Sequence, residues 1–158
     1  MLTQIATWNI AQQLIEAGLR LSIVHSLTGL STTPLRQLWR DIHKEMPRKG
    51  KLPETCMSYM RNRGEAAALS AYVGVHMKLF GEPTSSPHDL LKSWRAHQSM
   101  MRGQEIKLDI NAAYIALLDV RRKTVNFIRC GGCGGQYIHD HGSHLTDRCP
   151  HCHTSPLS

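Results

Sequence analysis

Four cysteines near the end of the chain carry its clearest chemistry. They stand as Cys130-Gly131-Gly132-Cys133 and Cys149-Pro150-His151-Cys152, with fifteen residues between the pairs. A Cys-x-x-Cys turn points both sulfurs at one ion and turns backbone N–H groups toward the thiolates. Two such turns at this separation have the spacing of a tetrahedral structural zinc site. Gly131, Gly132, Gly134 and Gly135 permit the tight turn. An iron–sulfur cluster takes the same four donors, but zinc is the commoner occupant of this spacing. Disulfides need an oxidising compartment, and a redox Cys-x-x-Cys needs only one pair. A catalytic zinc keeps an open position, which four thiolates fill. The expected cofactor is therefore one structural Zn2+ on Cys130, Cys133, Cys149 and Cys152. His139, His141, His144, His151 and His153 crowd the same segment, and any of them could replace a thiolate. Zinc binding of this kind is worth roughly 10–16 kcal/mol in small peptides, help that a tail held by a few residues such as Phe127, Tyr137, Ile138 and Leu145 needs. Cys56 stands apart in the helical part, where a buried free thiol is the default.

A second constellation lies between residues 21 and 44. Gly29 occupies the turn position of a helix-turn-helix, with Val24, Leu30, Leu35 and Leu38 as the apolar residues that lock its two helices. His25 departs from the pattern, because a small residue usually packs there. The second helix then exposes Thr32, Thr33, Arg36, Gln37, Arg40, Asp41 and Lys44. Arg, Gln and Thr reach base edges, and Arg and Lys also neutralise phosphates. Two packed helices with a glycine turn also occur in proteins that never touch DNA, so the basic face is what favours double-stranded DNA. Arg48, Lys49 and Lys51 lie just downstream and can track phosphates. Arg121, Arg122 and Lys123 form a second basic cluster at the entry to the cysteine-rich tail.

Charge follows the same division. The 158 residues carry 19 basic and 12 acidic side chains, a net +7. Residues 20–63 hold nine bases against three acids, and residues 121–158 hold five against two, whereas 1–19 and 64–120 are each slightly acidic. A basic patch of this kind points first to nucleic acid, with a merely soluble basic surface as the bland alternative. No phosphate loop, nucleophile elbow or paired-carboxylate motif is present, so an enzyme has little to stand on. No stretch approaches the roughly 18 apolar residues of a membrane span, and Met1-Leu2-Thr3-Gln4-Ile5 lacks the basic start of a secretory signal. The expected location is the cytoplasm, with no membrane partner.

These groups need elements to hold them. Apolar residues recur at helical steps over 2–27, with Gly18 as a candidate break. Ser31 and Pro34 suit the start of a helix that runs to about Glu45. Residues 46–53 form a linker, because two prolines and Gly50 exclude a regular helix. Longer helical patterns follow over 55–80, 88–101 and 110–121, separated by a loop at 81–87 and a cap at Asp109. Trp8, Trp39 and Trp94, like His76 and His97, sit at core-facing steps. Residues 124–129 alternate as a strand, and Gln136-Tyr137-Ile138 can pair with Asn126-Phe127-Ile128 to carry the first cysteine pair. The expected fold is mainly α: a helical N-terminal bundle over 1–123 with a helix-turn-helix-like segment, then a small zinc-ribbon-like module over 124–158.

At this level the chain resembles the FlhC family, the zinc-containing subunit of a bacterial flagellar transcriptional activator. The similarity is carried by Leu14-Ile15-Glu16-Ala17-Gly18-Leu19-Arg20-Leu21, by Leu30-Ser31 with Leu35, Leu38 and Ile42, and by Lys49-Gly50-Lys51-Leu52-Pro53. It continues through Cys130, Cys133-Gly134-Gly135, Tyr137-Ile138, Cys149 and Cys152. The resemblance implies a helical fold with a four-cysteine zinc site and a DNA-binding transcriptional activator. It implies a hetero-oligomer of two such chains with four FlhD-type subunits, which recruits RNA polymerase to promoters of flagellar or conjugative-transfer genes. The alternative is a zinc-ribbon adaptor that grips another protein, such as a polymerase subunit, without reading DNA itself.

Overall fold

Gly18 breaks the first apolar stripe into two helices, and Gly29 sets a third apart from them. In the computed structural model, which describes residues 1–84, 86–140 and 142–156, α1 spans Leu2–Glu16 and ends just before Gly18, at φ +93°. Helix α2 (Leu21–Thr28) closes on Gly29, whose φ of +73° lets its N–H reach the His25 carbonyl. Helix α3 (Thr32–His43) follows, and Lys44 ends it in the left-handed region two residues before the expected end. Leu35 and Trp39 turn inward from α3, with Leu38 and Ile42 half-buried beside them. These inward residues meet α1 and α2.

The long pattern at 55–80 is two elements. A short 3-10 turn, Cys56–Tyr59, precedes α4 (Arg63–Phe80). Asn62 separates them as an N-cap: its Oδ1 accepts the Glu65 N–H at 2.9 Å, while the Glu65 carboxylate accepts the Arg61 N–H at 2.7 Å. Helices α5 (Pro87–Met100) and α6 (Ile110–Arg122) complete the bundle, with Asp109 capping α6 through the Asn111 N–H at 2.8 Å. Strands β1 (Asn126–Arg129) and β2 (Gln136–His139) then pair antiparallel, with Asn126 opposite His139 and Arg129 opposite Gln136. The fold is mainly α with a small cysteine-rich ribbon, as expected.

One core runs through the helices and includes Leu14, Val24, Leu35, Leu69, Tyr72, Leu90 and Ala116. Burying each leucine contributes about 1.5–3 kcal/mol. Val125 and Ile138 belong to this core as well, so β2 lies against α4. A second, smaller cluster of Cys130, Tyr137 and Cys149 sits under the ribbon with Ile128 against it.

Buried polar side chains satisfy backbone where the helices leave gaps. Asn111 accepts the Arg20 N–H at 2.9 Å and donates to the Gly18 carbonyl at 3.1 Å, which fixes the α1–α2 corner on α6. Asp119 accepts the Cys56 N–H at 2.7 Å and the Thr55 hydroxyl at 3.1 Å. Burial, aided by Asp119, pushes the Cys56 thiol up, so it stays protonated. Between α4 and α5, Thr84 donates its N–H to His76 Nε2 at 3.1 Å, so the proton sits on Nδ1 and goes to Ser93 Oγ at 2.9 Å. The Tyr72 hydroxyl meets the same Ser93 oxygen at 2.8 Å.

Candidate functional site

The β1–β2 hairpin delivers the first cysteine pair. Cys130 N–H donates to the Gly135 carbonyl at 2.8 Å, and Gly134 N–H returns to the Cys130 carbonyl at 3.0 Å. Two amides then turn to the sulfurs: Gly132 N–H to Cys130 Sγ at 3.3 Å, and Gly135 N–H to Cys133 Sγ at 3.4 Å. Gly134 needs its φ of +74°, and a Cβ on Gly132 would meet Thr154 Oγ1 at 2.6 Å. The second pair closes likewise, with His153 N–H on the Cys149 carbonyl at 2.8 Å and Cys149 N–H on the Thr154 carbonyl at 3.1 Å.

All four sulfurs lie within 4.8 Å of one another. Cys130 and Cys152 Sγ are 3.5 Å apart, and Cys133 and Cys149 Sγ are 3.7 Å apart. A tetrahedron with zinc–sulfur bonds of about 2.3 Å has edges of about 3.8 Å, so the donor set could hold an ion such as zinc. Burial pushes the Cys149 thiol up to about 12, whereas hydrogen bonding from Thr154 brings Cys152 down to about 6. A bound cation would favour the thiolate at all four. Among the described residues the group contains no histidine. His151 is engaged elsewhere, 3.2 Å from the Gln136 carbonyl, and His141 lies outside the described residues.

The helix-turn-helix-like segment is α2 and α3 with Gly29 between them. Thr28 Oγ1 donates to the Val24 carbonyl at 2.7 Å and accepts the Leu30 N–H at 3.3 Å. His25 does not pack between the helices. It is exposed, and its Nδ1–H donates to the Leu30 carbonyl at 2.7 Å, tying the turn from outside. Val24 and Leu35 are fully buried, and Leu30 and Leu38 are half-buried against the core.

Thr32, Arg36 and Arg40 of α3 share a groove of about 450 Å³ with Arg48 and Lys49 of the linker. Arg20, Leu21, Ser22, Met46, Pro47 and Gly50 complete its wall, and among the described residues no carboxylate lines it. Thr33 and Lys44 are exposed outside the groove. Gln37 is bonded to Asp41 at 2.9 Å, and Lys51 to Glu54 at 2.6 Å. Arg121, Arg122 and Lys123 are exposed at the far end of α6, where Arg121 and Lys123 border a different hollow beside Phe127. The twelve basic and polar positions singled out in the sequence thus fall into one convergent group and several scattered ones. Arg20 and Ser22 were not among them. The net charge of 20–63 included Arg20, but nothing in the local pattern placed it at the groove.

The chain thus joins a helical body, with α2 and α3 paired across the Gly29 turn, to a four-thiol ribbon that could hold a metal ion. The family model described as "Flagellar transcriptional activator (FlhC)" matches residues 1–157, and the chain belongs to that family of transcriptional regulators. It is 25% identical over 149 residues to the "Flagellar transcriptional regulator FlhC" of Gallionella capsiferriformans (strain ES-2), covering 91% of this chain and 81% of that protein. It is 27% identical over 151 residues to the protein of the same name from Variovorax paradoxus (strain S110), covering 90% and 73% respectively. Among the described residues no helix is long and apolar enough to cross a membrane.

Proposed function

We propose that this chain is the DNA-binding subunit of a cytoplasmic transcriptional activator, working in a hetero-oligomer with an FlhD-type partner. Residues 1–123 bind the duplex and dock the partner. Residues 124–158 form a module held by one structural Zn2+ on Cys130, Cys133, Cys149 and Cys152. A zinc ion bound there would tie the four thiolates together and leave no ligand position open for a reaction. The complex, two of these chains with four partners by family analogy, recruits RNA polymerase to promoters of flagellar or conjugative-transfer genes.

The observation that carries this is the groove beside α3. Arg36 and Arg40 project from the helix that a helix-turn-helix lays in the major groove, and Arg48 and Lys49 stand next to them with no carboxylate to neutralise them. Phosphate is the anion that such a row of cations accommodates along a duplex. Lys44, Lys51, Gln37, Thr33 and the Arg121–Arg122–Lys123 cluster are assigned outer contacts.

The test is retention of genomic DNA fragments by this chain, alone and with an FlhD-type partner, across a salt titration. Enrichment of a few related fragments, lost steeply with salt, is the expected result, and the genes beside them identify the programme controlled. Uniform or absent retention in both preparations favours the adaptor alternative, in which the ribbon grips another protein.

A further inference from the structure

We infer that Arg20 is a positioning residue for DNA binding: it fastens the basic linker beside α3 so that Arg48 and Lys49 act together with Arg36 and Arg40. This rests on the DNA-binding role proposed above and names the device that assembles its site.

Linker residues 46–50 have no secondary structure, and Arg48, Lys49 and Gly50 are exposed. Left alone, such a segment spreads over many conformations, and fixing each residue costs about 1–2 kcal/mol. Five cations in one groove also repel each other. Something must hold the linker in place. The Arg20 guanidinium donates from Nη2 to the Gly50 carbonyl, which the chain presents by adopting φ +106° at Gly50. Among the described residues this is the one hydrogen bond that ties 46–50 to the body of the protein.

Arg20 is itself anchored from below. Its backbone N–H donates to Oδ1 of Asn111, a buried residue of α6, at 2.9 Å, and Asn111 also holds the Gly18 carbonyl. A chain of contacts therefore runs from the core through Asn111 and Arg20 to Gly50. Arg20 is half-buried where Arg36, Arg40, Arg48 and Lys49 are exposed. Its side chain faces inward to the linker, while theirs remain available to an outside anion. An arginine suits this task because its several N–H donors allow one to take the carbonyl while the charge stays in the groove.

Arg20→Gln removes the clamp and keeps the backbone bond to Asn111, so the helices should stay folded by circular dichroism. Two measurements test the assignment on the full chain with its FlhD-type partner. First, limited cleavage by trypsin without DNA: the bonds after Arg48, Lys49 and Lys51, in an exposed segment whose backbone carbonyl the clamp holds, should be cut faster in Arg20→Gln and at an unchanged rate in Arg36→Gln. Second, a double-mutant cycle on a retained DNA fragment: Arg48→Gln should cost less affinity in the Arg20→Gln background than in the unsubstituted one. Groups that act as a unit couple by roughly 2- to 150-fold in such cycles. Equal fold-losses in both backgrounds make Arg20 one more independent cation and overturn the assignment, as does unchanged linker cleavage. If the unsubstituted complex retains no DNA, the DNA-binding role falls and takes the purpose of the clamp with it. The cleavage result, which needs no DNA, still reports separately whether Arg20 holds the linker.

Discussion

The Ile138 amide donates to the Ser70 hydroxyl at 3.0 Å, and both residues are fully buried. A two-stranded ribbon has an unpaired edge on each strand, and here α4 supplies the missing acceptor for one amide of β2. The cysteine-rich module is therefore keyed to the helices by a polar bond as well as by Ile138 in the core. Ser70→Ala leaves that amide buried without a partner and should cost about 1–3 kcal/mol in chemical denaturation. A loss below a few tenths of a kcal/mol would show that β2 does not depend on this bond.

Metal should hold the part of the ribbon that this bond does not reach. Cys133 is exposed at the hairpin tip, while Ile138 lies in the helical core. Cys133→Ser, or removal of the ion with a chelator, should release one zinc per chain. Hydrogen-exchange protection should then be lost through the ribbon, most of all around 130–136 and 149–154, with α1–α6 largely unchanged. Unchanged protection across both cysteine turns contradicts the metal assignment.

Acid should weaken the α4–α5 contact. Burial pushes His76 and His97 below the ordinary 6.5, with Asp89 opposing the effect at His76 and the Ala68 backbone at His97. The unfolded chain then takes up protons that the folded one refuses. Stability is complete above pH 6.5 and falls as pH drops below it toward the lowered folded-state values. His76→Asn keeps a donor for Ser93 without a titrating ring. In metal-free protein it should lose less stability than the parent between about pH 7.5 and about pH 5.5. Identical pH dependence in the two proteins removes His76 from the account.

The α2–α3 turn depends on its glycine. Gly29 sits at φ +73° with open space around its Cα, so a methyl group meets no neighbour and only the backbone resists it. Gly29→Ala should cost about 1–2 kcal/mol of stability. Since the turn sets the angle of α3, DNA affinity should fall with it. A neutral substitution would mean that the turn tolerates other backbone angles.

Elements with strong periodicity or distinctive punctuation were legible in the sequence. Gly18 and Gly29 marked real breaks, Asp109 marked a real cap, and the pairing of 126–128 with 136–138 followed from their alternation, although the register, with Phe127 opposite Ile138, did not. The four cysteines come together as their spacing required. The split at Asn62 was missed because Met57, Met60 and Ala67 keep helical spacing across it, although Asn62-x-x-Glu65 is itself a capping signature. Asn111, Asp119 and Ser70 were not legible. Each is a polar residue whose partner lies 63 to 93 positions away, and no local pattern carries that information. The same holds for Arg20 and Gly50, thirty positions apart.

In the proposed complex α3 reads bases while the linker grips phosphates, and Arg36 and Lys49 separate the two roles. Lys49 serves this comparison better than Lys51, which is already paired with Glu54. The measurement is the affinity of the chain–partner complex for a retained fragment and for unrelated DNA, across salt. Arg36→Ala should reduce discrimination between them by about 1–3 kcal/mol. Lys49→Ala should weaken both alike and lower the salt slope by about 0.9. Equal loss of specific and non-specific binding in Arg36→Ala would contradict the assignment of α3 as the base-reading helix.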